Sequence, residues 1–343
     1  MTSLVEMLQT SDVVNQMVPE NRLLMMRQVS GTVTRALEKK GMSVALKARR
    51  GRVTALVMRD LEEICGFAKI TSFDCSLLQL GDEEVEMLLK ILARAPPLNN
   101  LDPATNELHS ALPPPCQSLI RLNLVCGGNL GEEVMGKLAA VLGQCESLAH
   151  LKLSEALIAG AEGAERLGAG LGQCVSLVHL DLGDNEIGDE AVGWLAAGLG
   201  QCVSLVHLDL SRNHIRAEGA RRLAAVLGQC TSLAHLNLAN NAIGIGDEGV
   251  GGLAAVLREC ASLAHLNLSW NRLLSAGVGR LAAVLGQCAS LAHLNLGYND
   301  IGDDGAGRLA AVLGQCASLA HLDLGGSSPH TRGWRGCNWI ERY

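Results

Sequence analysis

From about residue 119 to residue 324 the apolar positions recur in blocks, and each block holds two periods. In Leu177-x-x-Leu180-x-Leu182 a leucine falls at every second place, the mark of a short strand with one buried face. Leu180 and Leu182 point into a core, so His179 and Asp181 must point the other way. Ile187-Gly188 then turns the chain, and helical spacing around Leu195 runs to a stop near Gly200. Asp189 and Glu190 open that helix, where carboxylates suit unpaired amides and the helix dipole. The pattern predicts strand, turn and helix, repeated.

The repeat is explicit in the string LGQC-x-SLxHLxL. Its serine falls at Ser147, Ser176, Ser204, Ser232, Ser262, Ser290 and Ser318, with a poorer copy at Ser118; the spacings are 29, 29, 28, 28, 30, 28 and 28. Residues 279–297 and 307–325 differ only at Asn295 against Asp323. Such a unit cannot bury its apolar side alone, so neighbours must stack into a solenoid. Asn185, Asn213, Asn241, Asn271 and Asn299 form a column, where an amide can satisfy the backbone groups a buried turn leaves open.

Sliding the template backwards gives ten units, starting at residues 70, 98, 119, 148, 177, 205, 233, 263, 291 and 319. Residues 70–118 are degenerate units, the second with its helix replaced by the Pro113–Pro115 run. Residues 1–69 do not repeat. Leu23, Met26, Val33 and Leu37 share one helical face, as do Val53, Val57, Leu61 and Ile64, so this region reads as a helical cap. The tail, 325–343, has no repeat character and is expected to be loosely packed.

The unit of about 28 residues, with its Asn-x-Ile-Gly-Asp turn and leucine-rich helix, resembles the ribonuclease-inhibitor-like class of leucine-rich repeats. That class includes ribonuclease inhibitors and the repeat domains of NOD-like receptors and Ran GTPase-activating proteins. The resemblance is strongest over 177–324. It implies an α/β horseshoe with parallel strands on the concave side and helices on the convex side. It also implies a binding scaffold, with regulation of a small GTPase, or a place in a NOD-like-receptor-type signalling protein, as alternatives. Gly131-x4-Gly136-Lys137 is followed by Leu138 and not by Ser or Thr, so it is not a phosphate loop.

Composition narrows the partner. Residues 119–324 carry net −8, a poor platform for nucleic acid, which rewards clustered Lys and Arg. No charge-free apolar run is long enough to span a membrane. With Glu6 and Asp12, the N-terminus lacks a basic stretch followed by an apolar core, so a cytoplasmic protein is expected. Cys116, Cys145, Cys174, Cys202, Cys230, Cys260, Cys288 and Cys316 stand in register and point the same way. Buried, reduced thiols are therefore expected, not disulfides.

Seven histidines, His150, His179, His207, His235, His265, His293 and His321, make one column on the concave face. A linear file lacks the tetrahedral closure that zinc needs, and no nucleophile shares the face with the His/Asp pairs. No cofactor, metal or enzymatic activity is expected. Variation is concentrated just after the strands. Trp270 and Tyr298 hold the same place in adjacent units, with Arg212 and Arg272 near them, and have the chemistry of interface anchors. The predicted partner site is therefore Arg212, Trp270, Arg272, Tyr298 and Asp184, with His265 and His293 beneath the aromatics, for a protein partner. On the convex helices Trp194 is the lone large apolar residue in a column of Lys137, Arg166, Arg222, Gly252, Arg280 and Arg308.

Overall fold

The computed structural model describes residues 42–45, 70–74, 82–93, 115–124, 130–156, 158, 160–244, 247–326 and 340–341. These include the first strands, β1 (Met42–Ala45) and β2 (Ile70–Asp74), helix α1 (Asp82–Ala93), the short α2 (Pro115–Ser118) and β3 (Arg121–Asn123). Then strand and helix alternate: α3 (Glu132–Leu142), β4 (His150–Lys152), α4 (Ala161–Leu171), β5 (His179–Asp181), α5 (Asp189–Leu199), β6 (His207–Asp209), α6 (Ala217–Leu227). The series continues through β7 (His235–Asn237), α7 (Asp247–Glu259), β8 (His265–Asn267), α8 (Leu274–Leu285), β9 (His293–Asn295), α9 (Gly302–Leu313), β10 (His321–Asp323) and β11 (Ile340–Glu341). One sheet holds all eleven strands in sequence order. From β1 to β10 every pairing is parallel, and the repeat register is kept: His179 opposes His207, and Leu180 opposes Leu208. This is the α/β solenoid that the two periods predict.

The core lies between sheet and helices. Leu177, Leu180, Leu182, Ile187, Leu195 and Leu199 of one coil are fully buried, and equivalent leucines repeat in the coils around it. With no Phe, Tyr or Trp among the buried side chains of the described residues, the layers can be thin. Between α4 and α5 the approach is closest, for a Cβ on Gly198 would collide with the carbonyl of Gly168.

The asparagine column behaves as the pattern predicts. Asn213 is buried, and its Nδ2 donates to the carbonyls of Leu182, Leu210 and Ser211 while its Oδ1 accepts from the Ile187 N–H. One side chain thus ties its own turn to the preceding coil, and Asn185, Asn241, Asn271 and Asn299 do the same.

Three features differ from the sequence reading. β2 lies directly against β3, so the unit read at 98–118 adds no strand between them; Pro103, at its strand position, has no N–H for a ladder. The sheet begins earlier than residue 70, with β1 opening opposite Ile70 at Met42; the two segments of 1–69 read as helices lie outside the described residues. The tail is not loose throughout, since β11 pairs antiparallel with β10, Glu341 opposite His321 and Ile340 opposite Leu322. The helix stop read near Gly200 is found, with α5 ending at Leu199 and Gly200 after it at a right-handed φ of −60°.

Helix starts are capped across coils. Asp189 begins α5, yet its Oδ1 accepts from the backbone N–H groups of Arg216 (2.7 Å) and Gly219 (2.9 Å) at the start of α6. Asp82 of α1 reaches Gly131 N–H before α3 in the same way, at 3.3 Å. The carboxylate therefore complements the next helix's unpaired amides and not its own.

Candidate interaction surface

The concave face is a groove whose floor is set by strand alternation. The leucines of each strand turn inward and the residues on either side turn outward, giving two parallel rows. The first row is the histidine file. Ring centroids are 5.8 Å apart for His150–His179 and 5.3 Å for His179–His207, with rings tilted by 33° and 39°. From His207 to His321 they stack at 4.1, 4.1, 4.1 and 4.3 Å, within 16° of parallel. Near-parallel rings aim their nitrogens side by side and not at a common point. Among the described residues no group of three or more His, Cys, Asp or Glu is placed to hold a metal.

The file disfavours charge. Burial, with the neighbouring imidazoles second, pushes His235 down to about 4. Burial likewise lowers His150, aided by Arg121, and His207, His265 and His293, each aided by other histidines of the file.

The second row is Lys152, Asp181, Asp209, Asn237, Asn267, Asn295 and Asp323, and its polar atoms are largely committed. Asp181 Oδ1 accepts from Gly183 N–H, and its Oδ2 pairs with Lys152 at 2.9 Å. Asp209 accepts from Ser211 N–H, Ser211 Oγ–H and Asn237 Nδ2. Asn267, Asn295 and Asp323 each accept from the backbone N–H two residues on, the turn-forming bond typical of Asx side chains. These carboxylates hold the chain's exit from the strand and do not orient an imidazole.

Beyond that turn lies the rim. Glu155, Asp184, Arg212, Asn240, Trp270 and Tyr298 occupy one place in six successive coils, all left-handed, with φ of 59°, 57°, 54°, 54°, 60° and 55°. The next coil has Gly326 there, at φ 67°. Left-handed backbone costs a non-glycine residue roughly 1–2 kcal/mol. The fold holds it through a ladder: the N–H groups of Asp184, Arg212, Asn240, Trp270 and Tyr298 donate to the carbonyls of Ser211, Ala239, Ser269, Gly297 and Gly325. Each coil thereby projects one side chain outward, in file.

The rim brings some predicted residues together and separates others. Trp270 and Tyr298 stack at 4.0 Å and 12°, although 54% and 50% exposed. Behind them a Cβ on Gly326 would run into the Tyr298 ring, so that ring lies flat on the last coil. Exposed Arg272, with φ 53°, and Leu274, 50% exposed, follow on the Trp270 coil. Arg212 instead pairs with Asp184 of the preceding coil at 3.0 Å, away from the aromatics. His265 and His293 stack on each other and line the groove, whereas Trp270 and Tyr298 stand on the rim and are not among the groove's lining residues. The left-handed column and the Arg212–Asp184 pair were not foreseen, because no glycine marks the column except in the last coil. Leu274 was overlooked beside the two aromatics.

On the convex side Trp194 is 43% exposed, and the arginines of its column lie across glycines of the preceding helix, as Arg222 does over Gly193. Seven of the eight repeat cysteines are buried and Cys288 is half-buried, and none of the eight is in a disulfide. Burial pushes Cys174, Cys230 and Cys260 up to about 11 and Cys202 up to about 12.

Four stretches, residues 173–194, 201–224, 229–254 and 287–310, match the Leucine Rich repeat family model. No match is found among curated proteins.

Proposed function

We propose that this chain, four stretches of which match the Leucine Rich repeat family model, is a leucine-rich-repeat protein that binds a protein partner through the rim and concave face of its solenoid. Repeats of this family generally mediate protein–protein contact, and a rigid curved sheet offers many weak contacts at little ordering cost. The observation that carries the reading is the Trp270–Tyr298 stack: two large aromatic rings, half exposed, stacked on each other over left-handed backbone that is hydrogen-bonded to the next coil. Aromatic anchors of this kind, with arginine at their edge, dominate interface energetics. Arg272 belongs to this patch. Arg212 and Asp184 form a separate charged pair further along the same rim, and His265 and His293 form part of the groove floor. The ribonuclease-inhibitor-like class remains the subfamily the repeat most resembles. A cytoplasmic location suits eight thiols without a disulfide among them.

The test is comparative capture. Tagged wild type, Trp270→Ala/Tyr298→Ala and Trp194→Ala are exposed to the same extract, and the bound proteins are quantified. The expected result is a partner held by wild type and by Trp194→Ala, with the double variant weaker by about 2 kcal/mol or more and unchanged in circular dichroism. Retention by the double variant with loss in Trp194→Ala would move the interface to the helices.

A further inference from the structure

The histidine file has a property that neither the fold nor the rim requires. Five rings from His207 to His321 are stacked within 4.3 Å of their neighbours, and none of the seven is ion-paired with a carboxylate among the described residues. The charged groups facing the file are Arg121 beside His150, then Lys152, Asp181, Asp209 and Asp323 of the adjoining row, with Glu341 of β11 in register opposite His321. Asp181 is already held by Lys152 and a backbone N–H, and Asp209 by Ser211 and Asn237. Asp323 holds its own turn through Gly325 N–H. Adjacent imidazolium charges at such spacing repel strongly, and the molecule supplies few free counterions. Any proton that enters the middle of the file calls for an anion from outside.

The groove says what kind of anion fits. Leu208, Leu236, Leu266 and Leu294 lie between the two rows, but their side chains turn into the core and are only 2–3% exposed, so strand backbone separates the rows. The amides of Asn267 and Asn295 spend their oxygens on their own turns, leaving Nδ2 donors without a bond among the described residues. A file of imidazoles and amide donors running across successive strands suits a chain that carries several carboxylates more than a single inorganic anion. We propose that the imidazole file is a proton-gated binding site for an acidic peptide, with an Asp/Glu-rich segment and protons taken up together on mild acidification. At neutral pH net −8 over the regular repeats repels such a segment. An ordinary histidine titrates near pH 6.5 and a carboxylate near 4, so the peptide stays anionic over the range in which it can draw protons onto the file. Burial and ring-to-ring repulsion hold His207, His235, His265 and His293 down when the groove is empty, so a bound polycarboxylate must raise them. This rests on the concave side being a binding surface, but it does not use the rim aromatics.

The probe is fluorescent poly-L-aspartate with the full chain. Binding is expected to tighten at least about tenfold between about pH 7.5 and about pH 5.5, with more than one proton taken up, measured by calorimetry in buffers of different ionisation heat. His235→Gln/His265→Gln/His293→Gln should lose most of that gain, while Trp270→Ala/Tyr298→Ala keeps it. Should the triple variant fold poorly, proton NMR on wild type serves instead: added poly-aspartate should raise the titration midpoints of the file's imidazoles and leave His214, on the rim, in place. An equal gain in the triple variant, binding without proton uptake, loss in the rim variant, unmoved midpoints, or equally tight binding of inorganic polyphosphate would each overturn the proposal.

Discussion

At the scale of single residues, the rim column shows how much a repeat can ask of one backbone position. Asn240 sits there at φ 54°, exposed, with its N–H bonded to Ser269 carbonyl. Asparagine tolerates this region, glycine enters it freely and a β-branched residue does not. Asn240→Gly is therefore expected to leave the denaturation midpoint unchanged or slightly raised, and Asn240→Val to lower stability by about 1–2 kcal/mol. Equal midpoints for the two variants would show that the position is not held left-handed. The same scale shows what a sequence conveys. The bonds of Asn213 were legible because a polar side chain in an apolar register must be explained by the backbone around it. The conformation of Arg212 or Trp270 was not, because those residue types carry no left-handed signature. It is imposed by the ladder to the next coil.

At the scale of elements, strand and helix were predictable wherever leucines recur, and errors gather where they do not. β1, Met-Ser-Val-Ala, has no leucine to mark it and was missed. The unit at residue 98 has leucines at its strand position, but Pro103 interrupts it. The helix starts give a subtler case, for Asp189 was correctly read as a helix-start carboxylate but assigned to the wrong helix. Asp189→Ala should remove two bonds at the start of α6 and cost about 1–2 kcal/mol, as lost caps do. Hydrogen exchange should then quicken at Arg216 and Gly219 more than in the first turn of α5. Faster exchange confined to α5 would mean that the carboxylate serves its own helix after all.

At the scale of the whole molecule, the histidine file makes stability depend on pH. Folding lowers His150, His207, His235, His265 and His293 below their ordinary value, with His235 down to about 4. Between about pH 6.5 and that value the unfolded chain binds more protons than the folded one, so stability falls as pH falls. Above this window the file contributes no pH dependence, and below it no further loss comes from His235. Denaturant midpoints measured across this range should decline with acidification, and the decline should be shallower in His235→Gln. A flat profile for wild type would show that the rings are more open to water than their packing indicates.

The antiparallel pairing of β11 on β10 bears on how many molecules a particle contains. Residues 279–297 and 307–325 are near copies, so a coil cannot tell its own neighbour from the same coil in another molecule. A bare parallel edge at β10 would be a template on which a second chain could continue the stack, and then a third, as in a growing filament. A reversed strand presents the wrong hydrogen-bond spacing to an incoming parallel coil. Ile340 and Glu341 cover the edge of β10 with a strand of the opposite direction, in place of a bare parallel edge.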